Sequence, residues 1–469
     1  MKNVTDCNVR VKEIELNGFK NVEHGLIKMP STVEKKFFEH GSDILGIYGQ
    51  NGSGKTAVIE AMTIIQCLLK GEPLDEYIVN YIGKKSDTCS LRVRFSIDVA
   101  ERKSLVDYCV ELSRNEESFK VAKESLSLTK WNGEKFLKKK LLLGYEEKNV
   151  KSILRPQFRY EELIKANDEN LINLAVAKKL SQKDKSSFLF GTEARKVFLD
   201  KSAENIAEDY AFVICVLNRY ALIDLFVITS EHSAPISMNF FMPVAFRVDH
   251  EHGVSSGDIG IGLVEPFKID NRSYEMVQLV IREINIVLEK VIPGMSIGIH
   301  DYGELLLENG ELGHRIELTS VKNDIIIPLA CESEGIIKII SILDVLMGVY
   351  NNASMCLIID ELDAGIFEFL LGELLRIFEN NAKGQIIFTS HNLRALEMMD
   401  KNSLVFSTTN PKNRYIRFQN VKNNNNLRDL YLRAITLGGQ KEEIYAETDS
   451  VEINRALRRA GKAGANGKK

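Results

Sequence analysis

Eight residues, Gly49-Gln50-Asn51-Gly52-Ser53-Gly54-Lys55-Thr56, restrict this chain more than any other stretch, because they satisfy G-x-x-x-x-G-K-[ST] where one periodicity gives way to another. Before them, Asp43-Ile44-Leu45-Gly46-Ile47-Tyr48 is a short apolar run of buried-strand character. After them, Thr56 to Leu69 (TAVIEAMTIIQCLL) has the length and apolar spacing of a helix. Strand, glycine loop and helix in that order make a phosphate cradle. The glycines let main-chain N–H groups wrap an anion, and the helix amino terminus adds positive potential. Gly49, Asn51, Gly52, Ser53 and Gly54 form the cradle, Lys55 reaches the β- and γ-phosphates, and Thr56 holds Mg²⁺; the motif predicts nucleotide binding.

A chain of 469 residues has room for several domains at about 100–200 residues each. Lysine and arginine number 61 against 65 acids, so no global basic surplus argues for a nucleic-acid coat. The seven cysteines form no C-x-x-C pair and often sit in apolar runs such as Ser354-Met355-Cys356-Leu357, which reads as reduced, cytoplasmic thiols. No stretch has the makings of a secretory leader or of a membrane span of about 18 apolar residues, so a soluble chain without a membrane partner is expected.

Val9 to Leu16 alternates like a half-buried strand, and from Ser90 the segments SLRVRFSID, DYCVEL and KVAKESLSL predict an antiparallel lobe reaching about residue 145. From Tyr160 to Thr229 the pattern is helical, without the sustained heptads of a coiled coil. A helix over Ser273 to Leu288 precedes strands at Ser296 to Ile299, Glu304 to Leu307, Arg315 to Leu318 and Ile325 to Ile327. The last third alternates helix and strand: a helix from about Ile336, strand Cys356 to Asp360, a helix from about Ile366, strand Gln385 to Thr389, and a helix from about Asn392. The expected division is 1–150 for an amino-terminal lobe, 151–235 for a helical insertion, 236–422 for a carboxyl-terminal lobe and 423–469 for an extension with a basic tail.

Three further clusters carry chemistry. Cys356-Leu357-Ile358-Ile359-Asp360-Glu361 is an apolar strand ending in two acids, which places Asp360 beside the magnesium of the glycine loop and aims Glu361 at an attacking water. Ile386-Ile387-Phe388-Thr389-Ser390-His391 ends a second such strand in a histidine suited to sensing a γ-phosphate. In Glu332-Ser333-Glu334-Gly335, Ser333 and Gly335 stand at a helix amino terminus, an anion site by position, although a helix cap accounts for the serine equally well.

The ordered set GQNGSGKT, ESEG, LIIDELD and TSH resembles the ABC-type ATPases, and Gly18-Phe19-Lys20-Asn21 ahead of the glycine loop resembles the branch holding SMC, RecF and OLD-family proteins. The resemblance covers roughly the first 100 residues and the span from about 325 to 410. It implies an α/β head, a P-loop NTPase fold with an antiparallel β lobe and a helical insertion, binding ATP and Mg²⁺. Two heads would close around two nucleotides, with Lys55, Thr56, Asp360, Glu361 and His391 acting in one protomer and Ser333 and Gly335 reaching the γ-phosphate of the other. Asp363 would be the acid of the loop between subunits. Glu334 stands where transporters carry glycine, and no glutamine is assigned as a Q-loop.

The segments Glu361 to Leu375, Leu427 to Tyr431 and Leu437 to Gln440 are similar to the AriA-type ATPase subunits of PARIS anti-phage systems. That similarity implies a homo-oligomer acting as scaffold and sensor, which holds a TOPRIM-type nuclease effector (AriB-like) until a phage-encoded trigger releases it. A DNA-maintenance ATPase like RecF is the alternative, and a transporter subunit is disfavoured by the GFKN opening. Asp249-His250-Glu251-His252 reads as a solvated turn, with no metal site beyond the nucleotide's magnesium. The basic tail reads as solvated, and Trp131 belongs to no stacking platform, so nucleic-acid binding is not indicated. No acidic cluster suits a nuclease metal, so any cutting residues belong to another chain.

Overall fold

The computed structural model describes residues 7–83, 86–99, 102–115, 118–149, 152–199, 208–229, 241–250, 253–263, 265–418 and 426–466. Glu251, His252, Lys468 and Lys469 lie outside them.

The glycine loop leaves the carboxyl end of Asp43–Tyr48, a strand inside a six-stranded sheet. The strand order is Tyr415–Ile416, Leu404–Ser407, Asp43–Tyr48, Gln385–Thr389, Cys356–Ile359 and Leu225–Ile228, parallel throughout except for the first pair. Side chains alternate between two cores, as the pleat requires. Leu45, Ile47, Cys356, Ile358 and Ile387 face one hydrophobic cluster, while Ile44, Leu357, Ile359, Ile386 and Phe388 face another. The first cluster contains the loop's own helix, Lys55–Lys70, and the inner face of a second, seven-stranded antiparallel sheet. The second is closed by the helices Glu334–Asn351, Glu368–Asn381 and Leu427–Leu437.

The antiparallel sheet runs in the order Val22–Lys28, Asn8–Phe19, Thr88–Val99, Arg102–Arg114, Phe119–Lys130, Lys140–Glu146 and Leu154–Arg155. One fully buried side chain ties the two sheets together. The Gln385 amide nitrogen donates to the Val11 carbonyl at 2.8 Å and to Asp43 Oδ2 at 2.9 Å, while its oxygen accepts the Val11 N–H at 2.7 Å. A third core lies between the helix Asn271–Val291 and the small sheet Phe267–Asp270, Leu312–Lys322 and Met295–Leu306.

The α/β fold with an antiparallel sheet is the expected one, with instructive local differences. The helical stretch ends in a strand: Leu225–Ile228 pairs in parallel with Cys356–Ile359 and becomes the edge of the central sheet. Four consecutive apolar residues after a helix cannot be assigned by periodicity alone, and the partner 131 residues further along decides. The two short strands expected between Ser296 and Leu307 are one, Met295–Leu306, with a bulge between Asp301 and Glu304. Asp-Tyr-Gly reads as a turn, but here it re-aims a continuing strand. The helix expected from Ile366 starts at Glu368, because Gly365 adopts φ 75° and breaks the turn before it.

Among the described residues, no helix is long and apolar enough to cross a membrane, and all seven cysteines are unpaired.

Glu124 fastens the helical region to the antiparallel sheet. Its Oε1 accepts Tyr108 OH at 2.7 Å and Ser187 Oγ at 2.6 Å, and its Oε2 accepts the N–H groups of Phe188 at 2.6 Å and Leu189 at 3.3 Å. Burial raises its pKa against those bonds. Alanine here strands several buried donors, so Glu124→Ala is expected to cost about 3 kcal/mol or more. Glu124→Gln keeps an acceptor for the two amides and offers its NH₂ to hydroxyls that can rotate, so it is expected to cost less. Denaturant midpoints of the two variants check the order.

Candidate active site

The glycine loop is held from outside by its neighbours. Ser53 Oγ donates to the Gln50 carbonyl at 2.5 Å and shares a hydrogen bond with Ser407 Oγ. Tyr415 OH donates to the Gly54 carbonyl at 2.6 Å, Asn21 Nδ2 donates to the Gly52 carbonyl, and Arg414 bridges the carbonyls of Asn21 and Thr408. Gly49 is required sterically: a Cβ there would stand 1.9 Å from Ser407 Oγ. Gly54 opens the helix Lys55–Lys70 at φ 92°, a left-handed conformation that only glycine adopts freely.

Lys55 is 7% exposed, and its ammonium donates to the carbonyls of Gly49 at 2.9 Å and Gln50 at 3.2 Å. Burial lowers its pKa, and the carboxylates of Asp360, Glu361 and Asp363 oppose that shift. Those carboxylates come from more than 300 residues further along the chain. Thr56 Oγ1 stands 3.4 Å from Asp360 Oδ1, and the same oxygen accepts Thr389 Oγ1 at 2.5 Å. Asp360 is 1% exposed at the tip of its strand.

Glu361 is exposed and adopts φ 49°, the left-handed region, unusual for a side chain with a Cβ. Its N–H donates to Thr389 Oγ1 at 2.8 Å, and its carbonyl accepts Lys338 Nζ at 2.5 Å. Asp363 Oδ2 accepts the main-chain N–H of His391 at 3.0 Å. Burial and the nearby Lys55 ammonium push the His391 imidazole below its ordinary pKa, which keeps it neutral near pH 7.

Among the residues expected from the sequence, Asn51, Gly52, Gly54, Lys55, Thr56, Asp360, Glu361 and His391 line one cleft of about 550 Å³. Lys20, Asn21 and Thr389 line it too. The sequence offered these three only as family markers, without a role. A neighbouring cavity of about 860 Å³ shares Lys20 and Asn21 and extends along the antiparallel sheet to Ser90 and Glu111.

Ser333 and Gly335 lie apart from that cleft's lining. Ser333 stands exposed at the start of the helix Glu334–Asn351, and its hydroxyl makes no capping hydrogen bond, so the helix cap does not account for it. Gly335 is buried against the loop after Glu361, where a Cβ would fall 1.8 Å from the Gly365 carbonyl oxygen.

The donor set fits the expected ligands. A hydroxyl and a carboxylate beside a lysine-bearing glycine loop match a small, hard cation that takes oxygen ligands and shares them with phosphates. Among the described residues, no group of three or more His, Cys, Asp and Glu could hold a metal without such help.

One protein family, described as "AAA domain, putative AbiEii toxin, Type IV TA system", matches residues 44–397. Solved structures with similar folds include the Smc head bound to the C-winged helix domain of ScpA, at 13% identity and TM-score 0.39, covering 87% of this chain and 97% of that one. Another is the SMC head domain from Thermotoga maritima, at 12% identity and TM-score 0.37, covering 87% and 99%. A third, from Pyrococcus furiosus, is the Smc head with an extended coiled coil bound to the C-terminal domain of ScpA, at 12% identity and TM-score 0.39, covering 87% and 96%. No curated protein matches the chain.

Proposed function

The chain belongs to this AbiEii-type AAA-domain family, and on that premise we propose that it binds ATP with Mg²⁺ and hydrolyses the γ-phosphate bond. One observation carries the reading: Thr56 of the glycine loop and Asp360 of a distant strand meet at 3.4 Å, with Lys55 and Glu361 lining the same cleft. Thr56 and Asp360 would hold the magnesium ion, which supplies charge neutralisation on the phosphates when bound. The glycine loop and Lys55 bind and orient the triphosphate. Glu361 orients the attacking water and accepts its proton, and neutral His391 donates a hydrogen bond to the γ-phosphate. The adjoining cavity leaves room for the base and sugar beside Lys20 and Asn21.

Phosphoryl transfer of this kind asks mainly for positioning and electrostatic stabilisation, which a cleft of fixed dipoles and charges supplies. Purified wild-type chain is expected to turn over Mg·ATP, and Lys55→Ala to lose nucleotide affinity. A wild-type chain that neither binds nor hydrolyses Mg·ATP would end the reading.

The finer reading is a cytoplasmic scaffold and sensor of an anti-phage system. Two ATP-bound heads of a homo-oligomer would close face to face, with Ser333 and Gly335 reaching the partner's nucleotide and Asp363 in the loop between them. The assembly would hold a TOPRIM-type nuclease effector until a phage-encoded trigger frees it. The AriA-like segments Glu361 to Leu375, Leu427 to Tyr431 and Leu437 to Gln440 support it, as do the seven free thiols and a Ser333 hydroxyl left without a capping role. Co-expression with the adjacent gene tests it: a stoichiometric nuclease in the purified assembly is expected. Tight duplex-DNA binding by this chain alone, weakening steeply with salt, would favour DNA maintenance instead.

A further inference from the structure

We propose that Lys338 is a positioning residue for Glu361, acting through that residue's main chain, and that it links the Ser333–Gly335 corner to the hydrolytic carboxylate of the same protomer. This rests on the ATPase reading and concerns how its base is aimed.

Lys338 stands out by its surroundings. It interrupts the run Ile336-Ile337-Lys338-Ile339-Ile340 on the helix Glu334–Asn351 and is only 4% exposed. A buried ammonium is costly unless it is hydrogen-bonded and faces negative charge. Here the hydrogen bond goes to the Glu361 carbonyl at 2.5 Å, and Asp363, Glu361, Glu334 and Asp360 supply the field.

Glu361 needs holding. At φ 49° it occupies a sparsely populated conformation for a residue with a side chain, and such strain persists only where neighbours over-determine it. Thr389 Oγ1 accepts its N–H, and Lys338 donates to its carbonyl. With both flanking peptide groups pinned, the Cα–Cβ direction from which the carboxylate extends is set.

The same helix touches the same loop a second time, three residues earlier, where Gly335 packs on Gly365. Residues three apart share a helix face, so the two contacts clamp residues 361–365 to the helix end that carries Ser333. Displacement of that end moves Glu361 with it. An event at Ser333, such as a partner's phosphate, is thereby transmitted to the base within this protomer.

The test uses the full chain and compares wild type, Lys338→Met and Lys338→Ala for kcat, KM, ATP affinity and melting temperature. Methionine fills a similar volume on an apolar helix but cannot donate. Lys338→Met is expected to lower kcat by about 10–100-fold, the scale of a misplaced catalytic group, with ATP affinity and KM little changed. In a Glu361→Gln background the same change is expected to add nothing to the loss, because Lys338 acts only through that carboxylate.

Wild-type kcat in Lys338→Met, parallel loss of affinity and turnover, or an additive effect in the double variant would each overturn the assignment. Should the methionine variant fail to fold, Lys338→Ala decides, since it too cannot donate: reduced kcat with affinity held supports the role, and unchanged kcat refutes it. A wild type without ATPase activity is a separate result, which fails the underlying reading and not this assignment.

Discussion

Glu361→Gln is expected to lower ATP turnover by about 10²–10⁴-fold, the usual contribution of a positioned general base, while ATP affinity is retained. The substitution removes the negative charge and with it the ability to accept a proton. The side chain keeps its size, and the groups that aim it, Thr389 on the N–H and Lys338 on the carbonyl, bond to the main chain and are untouched. The glycine loop, Lys55, Thr56 and Asp360 are likewise unaltered, so the phosphates keep their partners. Binding without hydrolysis prolongs the ATP-bound state, and if two heads close on nucleotide the variant should show a larger native mass in ATP than in its absence. Single-turnover kinetics, equilibrium ATP binding and native mass measure the three parts separately. Normal turnover by Glu361→Gln would remove the base assignment, and a loss of ATP affinity equal to the loss of rate would show that the residue binds substrate instead.

The residues that meet in the candidate cleft were legible in the sequence because they are fixed by type and local order. A glycine loop between strand and helix has few other uses, and an apolar strand ending in Asp-Glu becomes informative once such a loop precedes it. What the sequence hid is the set of contacts between residues hundreds of positions apart. Nothing local to Leu225–Ile228 says that it will lie beside Cys356–Ile359, and nothing local to Ser407, Arg414 or Tyr415 says that they brace the glycine loop. Lys338 did leave a trace, a lone charge among isoleucines, which implies a buried partner without saying which. Ser333 was ambiguous for a different reason. A serine before a helix normally caps it, and only the built helix shows that this one makes no capping bond.

Gly335 is where the two kinds of information disagree most usefully, and its replacement is the second large effect expected. Read from the sequence and its resemblance, Gly335→Ala should weaken a contact with another protomer's phosphate. Read from the structure, it strikes its own chain first. The added Cβ would lie 1.8 Å from the Gly365 carbonyl oxygen and 2.7 Å from its carbon, and both are main-chain atoms that no rotamer change can clear. Either the helix or the loop after Glu361 must shift. Overpacking of this kind costs about 1–3 kcal/mol, and because Glu361 opens that loop, a displacement near 1 Å would lower turnover by about 10²-fold. Gly335→Ala is therefore expected to lose both melting temperature and hydrolysis even in protomers kept apart by dilution. Ser333→Ala makes the opposite prediction. Its exposed hydroxyl caps nothing in its own chain, so the variant should melt like wild type and lose activity only where heads meet. A Gly335→Ala protein with unchanged melting and turnover would mean that the helix and the loop after Glu361 do not pack as described, and the coupling through Lys338 would fall with that contact.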